Sequence, residues 1–597
     1  MKRRLFLLFI FPILLYSSEQ KTLIKANNLK LYEKNEWKAL LHYNGNFNIT
    51  DKIFILSNEF SLKTELNSII KKFYTPKVNY KDINNHPQCK FPSRLLFISH
   101  ELNLSNSEFP KVNCSDFDTY KKKAPADTIS LIYASEKVNN PSSMMGHTLL
   151  KYQGKNNKGR KVEHAISFYT LIETINILKL AYQNVFSGMK GLFTLQPYKK
   201  ILKQYTDKEN RNVWEYQLKL SDYRKKLIYY HIWELKSIDM KYFFTSYNCS
   251  TVIYYILSLA NPKVYDENKL WITPLDTVKF LYKHDLIENS ELFPSNEWLI
   301  KMTTENLDAH EIDEIKDTLK HKKYNEISKL DYNSLKLLEA YSSVKYQDND
   351  ISIEEFKTFK NNIDNSSENN GNIFDISKYK SPNKIPSERQ IGIGYSNINE
   401  EEFVKLSFLP ASHLLNDNNQ EYFGESELKI GYLSVLLNKD NIELEEFTLY
   451  GMKSYLAYDT LTNDLSYQFE LAVKKEYSED MNYIDTIKID AGIGIDFLLW
   501  HDINIFVMLN LGAGYNKDDN THIFLNPEIG GMIYEVFNMK SLIYYQPLFI
   551  NKNKIYDKYV LNHHIFFLKD YKFYFNFEQV NAKSRYENYE FGISKLF

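Results

Sequence analysis

The stretch Ile487–Phe497, IKIDAGIGIDF, places Ile487, Ile489, Ala491, Ile493, Ile495 and Phe497 on one face and Lys488, Asp490, Gly492, Gly494 and Asp496 on the other. Strict alternation is the signature of a β-strand with one apolar side, because successive side chains point to opposite faces. LSYQFELAV repeats it, with Leu465, Tyr467, Phe469, Leu471 and Val473 on the apolar side. From about Arg389 onward the period stays at two, and roughly twelve such segments can be marked, each near the length a membrane-barrel strand needs. The chain closes with YEFGISKLF, which puts Tyr589, Phe591, Ile593 and Phe597 on one face, although Lys595 interrupts it. An outer-membrane β-barrel is the leading reading of this region. A periplasmic β-sandwich or a soluble barrel is the alternative, since the alternation slips in IELEEFTLY (Ile442–Tyr450).

Outward from that region, the 597-residue chain is too long for one hydrophobic core, so several domains are expected. A net charge of −1 sets up no field that would attract nucleic acid. Aromatic residues reach 15%, which favours sheet surfaces and interfacial belts. At the N-terminus, Lys2, Arg3 and Arg4 precede an apolar run from Leu5 to Tyr16 and then Ser17 and Ser18, the pattern of a secretory signal cleaved near Ser18. The run is short for a membrane span, and no later segment has the continuous apolar length of one.

The domains expected are a signal peptide (1–18), an N-terminal accessory domain (19–125), a catalytic domain (126–290), a helical segment with linker (291–388) and a barrel (389–597). Within them KTELNSIIKKFY (63–74), LIYYHIWELKS (227–237) and NLDAHEIDEIKDTLKHKKY (306–324) read as helices, and DTISLIYAS, HTLLKY and EHAISFYT as strands. KNNIDNSSENNGN (360–372) reads as linker or exposed loop.

The cysteines are Cys89, Cys114 and Cys249. In an oxidising compartment Cys89 and Cys114, near in sequence, are expected to pair and leave Cys249 over. In SYNCSTVIYYIL, Asn248 suits an N-cap and Cys249 falls in the first helical turn, on the side of Val252, Ile253, Ile256 and Leu257. A helix N-terminus and a nearby histidine both lower a thiol's pKa, and the thiolate is the nucleophile. His147, in NNPSSMMGHTLLKY (139–152), opens a strand candidate and is the expected base. His164 opens the next and is the first candidate to orient the imidazole, with Ser167 and Asn139 weaker ones. Met144, Met145 and Phe244 are candidates for an acyl-chain wall or for plain core. Each of these residue types has an ordinary structural reading, a small buried hydrophobe for cysteine and a hydrogen-bonded core residue for histidine. Zinc fits poorly, because one free cysteine and scattered histidines give no compact ligand spacing. No cofactor is implied.

SLIYASEKVNNPSSMMGHTLLKY (130–152), GLFTLQPYKKILKQYTDKENRNVWEYQLKL (191–220), YFFTSYNCSTVIYYIL (242–257) and WITPLDTVKFL (271–281) occur in that order. Together they resemble the Lnb-type periplasmic domain family, which is related to a bacterial lipoprotein N-acyltransferase. CKFPSRLLFI (89–98) is similar to the domain that precedes it in many members, and FLPASHLLNDNNQEYFGESELKIGYLSV (408–435) to the β-rich C-terminal region of long members. The resemblance implies a multidomain chain with an α+β, permuted papain-like (NlpC/P60-like) catalytic domain and a C-terminal antiparallel β-barrel in the outer membrane. It implies a thiol enzyme in which Cys249 and His147 match the family's cysteine and histidine, with His164 a third candidate. The function expected is a cysteine-dependent acyltransferase or hydrolase acting on a lipid or lipoprotein acyl group on the periplasmic side of the outer membrane. The alternatives are a cysteine amidase or peptidase on peptidoglycan peptides, which would release peptide fragments, and a non-enzymatic envelope-binding module, which would tolerate Cys249→Ala.

Overall fold

Near-continuous apolar runs such as Thr128–Ala134 (TISLIYA) form strands covered on both faces, and they build the first sheet. The computed structural model describes residues 18–597 except 47, 50, 106–107, 138–143, 172–178, 180–181, 184–186, 237, 268, 367–380, 501, 552 and 569. Asn139, most of the loop before His147 and, except for Ser18, the expected signal peptide lie outside the described residues. The chain forms two compact units. One comprises the chain up to Ala134, His147–Gln204 and Val213–Leu292, and the other Ser135–Gly146, Tyr205–Asn212 and Phe293–Phe597.

The first unit holds seven described strands: β1 (Thr128–Ala134), β2 (His147–Lys155), β3 (Lys161–Thr170), β4 (Met189–Pro197), β5 (Val213–Leu218), β6 (Lys241–Tyr242) and β7 (Ile287–Phe293). Their order in the sheet is β6-β4-β3-β2-β1-β5-β7, which puts β2 at the centre. Helices α1 (Asn35–Leu40), α2 (Leu62–Phe73), α3 (Pro92–Glu101), α4 (Asp222–Leu235), α5 (Cys249–Ala260) and α6 (Pro274–Lys283) pack around it. Helix α5 contacts α1, α4, α6, β2 and β3. The sequence suggests a one-sided apolar stripe on α5, but every residue from Cys249 to Ala260 is buried. A helix apolar on all sides is a central helix, and Ser250, Thr251 and Ser258 are small enough to join it.

Cys89 and Cys114 form a disulfide across 25 residues. Cross-linking a loop of that length restricts the unfolded chain and stabilises by about 3 kcal/mol. Cys89→Ser with Cys114→Ser is therefore expected to lower unfolding stability by about that amount in a denaturant titration. A loss below about 1 kcal/mol would show that the neighbouring core alone holds this region.

In the second unit, α7 (Asn296–Thr304), α8 (Ala309–Lys320), α9 (Tyr332–Gln347) and α10 (Ile353–Ser366) share a core that includes Ile300, Ile315, Leu338, Phe359 and Ile363. The expected linker is thus corrected over Lys360–Ser366, which completes α10. Phe359 and Ile363, four residues apart, share a helix face that the surrounding asparagines and serines obscure. Residues 367–372 lie outside the described ones.

Apart from the short Ser412–His413, which pairs inside the ring, the remaining strands are β8 (Gln390–Ile398), β9 (Glu401–Leu409), β10 (Glu425–Leu437), β11 (Ile442–Tyr455), β12 (Ser466–Tyr477), β13 (Tyr483–Trp500), β14 (Ile503–Asn516), β15 (Asn520–Leu525), β16 (Glu528–Glu535), β17 (Met539–Ile550), β18 (Asn553–Phe567), β19 (Tyr571–Asn581) and β20 (Arg585–Leu596). Both β15 and β16 bridge β14 and β17, so they count as one staggered strand. The ring closes because β20 pairs with β8, β8 with β9, and β9 with β10. The described residues therefore form a closed antiparallel barrel of twelve strands.

Its faces are inverted relative to a soluble protein. On β13, Ile487, Ile489, Ile493 and Phe497 are 42–54% exposed, whereas Lys488, Asp490 and Asp496 are at most 4% exposed. Tyr589, Phe591 and Phe597 likewise face outward. An apolar outer wall around a charged interior is stable only against lipid, which removes the soluble-sandwich alternative. The slip in Ile442–Tyr450 is structural: β-bulges break the pairing between Ser434 and Val435 on β10 and between Thr448 and Tyr450 on β11. Each inserts an unpaired residue and shifts the alternation by one. The lumen is lined by paired charges and encloses a cavity of about 220 Å³. Lys405 pairs with Glu445 and Glu590, and Lys488 with Glu476 and Asp490. The segment joining β9 to β10 turns inward, where Asp417 meets Lys572 at 2.5 Å and Gln390 at 2.8 Å.

Candidate active site

Asn248 starts α5 as an N-cap. Its side chain accepts the Thr251 N–H at 3.0 Å and donates to the carbonyls of Phe244 at 2.8 Å and Ile272 at 3.3 Å. The turn before it is closed by reciprocal backbone bonds, Phe243 N–H to Tyr247 O at 3.0 Å and Tyr247 N–H to Phe243 O at 3.2 Å. This fixed turn delivers Cys249 at the first helical position, 5% exposed, where the helix dipole favours a negative charge.

His147 is the first residue of β2 and faces Ala134 of β1 in the register. Gly146 before it has φ +80°, a conformation glycine adopts without strain, and this bends the chain into the strand. The imidazole reaches Cys249. Burial alone would push the thiol's pKa up, but the charge of a protonated His147, the His147 hydrogen bond, the Thr148 N–H and the Ser250 hydroxyl together pull it down to about 6. The Ser250 Oγ lies 3.7 Å from the sulfur. Roughly nine thiols in ten are then ionised at pH 7, one unit above that value.

Tyr242, at the end of β6, is a member of the site that sequence reasoning missed. Its buried ring packs against Phe168 at 5.4 Å and Phe244 at 5.3 Å. Its hydroxyl oxygen accepts the Cys249 N–H and also meets the thiol, and burial together with the sulfur's charge holds its proton far more tightly than in an ordinary tyrosine. It is thus a neutral donor beside the nucleophile. Seven residues before the cysteine on a two-residue strand, it carries no sequence signal of its own. Thr148 and Ser250 did carry one, since each directly follows a chosen residue.

The other candidates are placed elsewhere. His164 stands opposite Tyr152, five positions along β2 from His147 and so about 17 Å away along the strand. Burial lowers its pKa, and its Nδ1 has no hydrogen-bond partner among the described residues. The register therefore does not bring it to the Cys249–His147 pair, and this corrects the expectation that it orients the imidazole. Ser167 lies opposite Thr194 of β4. Phe244 is half-buried against Tyr242, and Met144 and Met145 are half-buried. Among the described residues no group of three His, Cys, Asp or Glu side chains is arranged to hold a metal ion.

The arrangement predicts its own pH profile. Alkylation of Cys249 by iodoacetamide should rise with a midpoint near pH 6 and fall as pH drops through it. His147→Ala removes the largest lowering influence, so its midpoint should move up toward that of a free thiol, about 8.5. A His147→Ala profile that overlays the wild type would separate the two side chains functionally.

Comparison with known proteins gives three family matches. Residues 116–284 match the Lnb N-terminal periplasmic domain, and residues 380–589 and 29–101 match two domains of unknown function, DUF7840 and DUF7843. No curated protein matches the chain. Solved structures similar to it include outer-membrane proteins. A loop-deletion mutant of OmpT from Vibrio cholerae is 8% identical and covers 35% of this chain and 97% of its own, with a TM-score of 0.19. The channel DcaP of Acinetobacter baumannii is 10% identical over 35% and 96%, with a TM-score of 0.20. The β domain of the Bordetella autotransporter BrkA is 10% identical over 36% and 100%, with a TM-score of 0.19. At such scores they add nothing to the closed strand pairing and apolar outer wall, which define the barrel by themselves. The protein is an outer-membrane barrel carrying a periplasmic domain.

Proposed function

We propose that this Lnb-type periplasmic domain, residues 116–284, is a cysteine-dependent acyltransferase or hydrolase that takes an acyl group from a lipid or lipoprotein ester. The observation that carries the reading is the thiol of Cys249, at a helix N-terminus, lowered to about 6 by His147. Histidine on a strand before cysteine on a helix is an order that supports the permuted papain-like reading.

In the proposed reaction the Cys249 thiolate attacks the ester carbonyl, forming an S–C bond and a tetrahedral oxyanion. Tyr242 O–H and the Thr148 N–H, which both meet the sulfur, are the donors assigned to that charge, worth about 10²–10³ in rate for each well-aimed bond. Collapse breaks the C–O bond, and the leaving alcohol takes its proton from the His147 imidazolium. An amine or water then attacks the thioester, passes its proton to His147, and releases the thiolate. The barrel keeps the domain beside a membrane that supplies acyl chains.

The test compares lipoproteins from cells carrying the wild-type chain or Cys249→Ser, by mass spectrometry of their N-terminal lipopeptides. The expected result is one acyl chain fewer, or more, on a defined subset. Unchanged lipopeptides together with released peptidoglycan peptides would overturn the assignment in favour of an amidase.

A further inference from the structure

Beneath the active-site turn lie four buried side chains that the chemistry above does not use. Tyr247 Oη is 2.5 Å from His42 Nδ1, His42 Nε2 is 2.9 Å from His231 Nε2, and His231 Nδ1 is 3.0 Å from Glu234 Oε2. The other carboxylate oxygen of Glu234 accepts the N–H groups of Ser93 at 2.7 Å and Arg94 at 3.0 Å. The chain thus runs from the start of α3, through α4, to the residue after Leu41 and on to the turn that ends at Asn248. His42 and His231 are fully buried.

The direction of these bonds is shared. Burial, with Arg94 nearby, keeps both imidazoles neutral, so each offers one N–H and one lone pair. At the Nε2–Nε2 contact one ring donates and the other accepts, which fixes what each does at its far nitrogen. Either Tyr247 O–H donates and the series ends at an ionised Glu234, or a protonated Glu234 donates and the series ends at the Tyr247 oxygen. In the second case the Tyr247 hydroxyl proton points to Met240 Sδ, 3.8 Å away. Both arrangements satisfy all four groups, so the four act as one unit.

A second observation concerns the backbone of His42. It ends α1 in the left-handed conformation, φ +49°, with its N–H bonded to Ala39 O at 3.0 Å and the Tyr43 N–H bonded to Lys38 O at 3.0 Å. From that fixed backbone the ring stacks on Tyr255 at 4.5 Å while bonding at both nitrogens.

We propose that His42, His231, Glu234 and Tyr247 are positioning residues that lock the Phe243–Asn248 turn and hold the Cys249 thiol against His147, which gives the N-terminal region a part in the reaction. This rests on Cys249 being the nucleophile. A displacement of about 1 Å at a reacting group costs roughly a hundredfold in rate, so a slackened turn is measurable without unfolding.

The test uses the full chain in detergent micelles and iodoacetamide, whose iodide leaves as the S–C bond forms. Tyr247→Phe keeps the ring and removes only the hydroxyl, and His42→Asn keeps the left-handed backbone while losing the reach. Each is expected to raise the midpoint of the pH profile by about one unit and so to slow alkylation by roughly 5-fold at pH 6 and roughly 2-fold at pH 7, with the double variant no slower than the slower single one. Wild-type rate and midpoint in folded Tyr247→Phe would overturn the proposal, as would losses that multiply in the double variant. If His42→Asn fails to fold, Tyr247→Phe decides alone. Iodoacetamide needs no acyl donor, so a wrong acyl substrate would fail the lipopeptide test and leave this one standing.

Discussion

Cys249→Ala is expected to reduce acyl-enzyme formation by at least about ten-thousand-fold, because it removes the atom that forms the bond. The measurement is the burst of nitrophenolate from a nitrophenyl ester of a short fatty acid, stoichiometric with enzyme when a thioester accumulates. His147→Ala should lose nearly as much for two reasons. The thiol reverts to a mostly protonated form at neutral pH, since the remaining influence of burial raises its pKa. The leaving alcohol also loses its proton donor. The double variant should be no worse than Cys249→Ala alone, as is usual for groups that act as one unit. The removed sulfhydryl is small and its helix is held by Asn248 and the apolar residues behind it, so the fold should survive. A burst that persists in Cys249→Ala would end the thiol mechanism.

Arg94→Met carries the largest expected effect on stability. The guanidinium is fully buried, lies between the rings of Phe54 at 4.4 Å and Phe91 at 4.3 Å, and donates to Phe54 O at 2.9 Å and Glu65 at 3.2 Å. Its Nε is 4.0 Å from Glu234. Methionine fills most of the volume but strands Glu65 without its cation, and breaking a buried pair from one side costs about 3–5 kcal/mol. The pH dependence follows from Glu234. Burial raises its carboxyl to about 8 against the opposing charge of Arg94, so the folded state binds a proton that the unfolded state releases near 4.5. Its contribution is present in full below the unfolded value and is lost as pH rises through about 8. Without Arg94 the carboxyl rises further, so the variant should be weakest relative to wild type in alkaline solution. Denaturant titrations at pH 6 and pH 8.5 measure both effects. A loss under about 1 kcal/mol at both would show that water reaches Glu65.

Local order determined much of this protein. The period of two at Ile487–Phe497 fixed a strand with an apolar face, and Asn248 fixed where α5 begins, because both depend on residues a few positions apart. The proximity of Cys89 and Cys114 indicated their disulfide for the same reason. Tertiary structure decided the rest. Nothing local says whether the apolar face of β13 looks inward or outward; the answer came when β20 closed on β8 through Leu596 and Gln390, some 200 residues apart. His164 and His147 look equivalent as strand-opening histidines, and only the β2–β3 register, which sets His164 against Tyr152, separates them. Tyr242, and the relation of His42 to His231 and Tyr247, are likewise products of long-range packing. Sequence periodicity records which way each side chain points along its own element, whereas the pairing of elements is fixed by the burial they achieve together, and that energy has no counterpart in neighbouring residues.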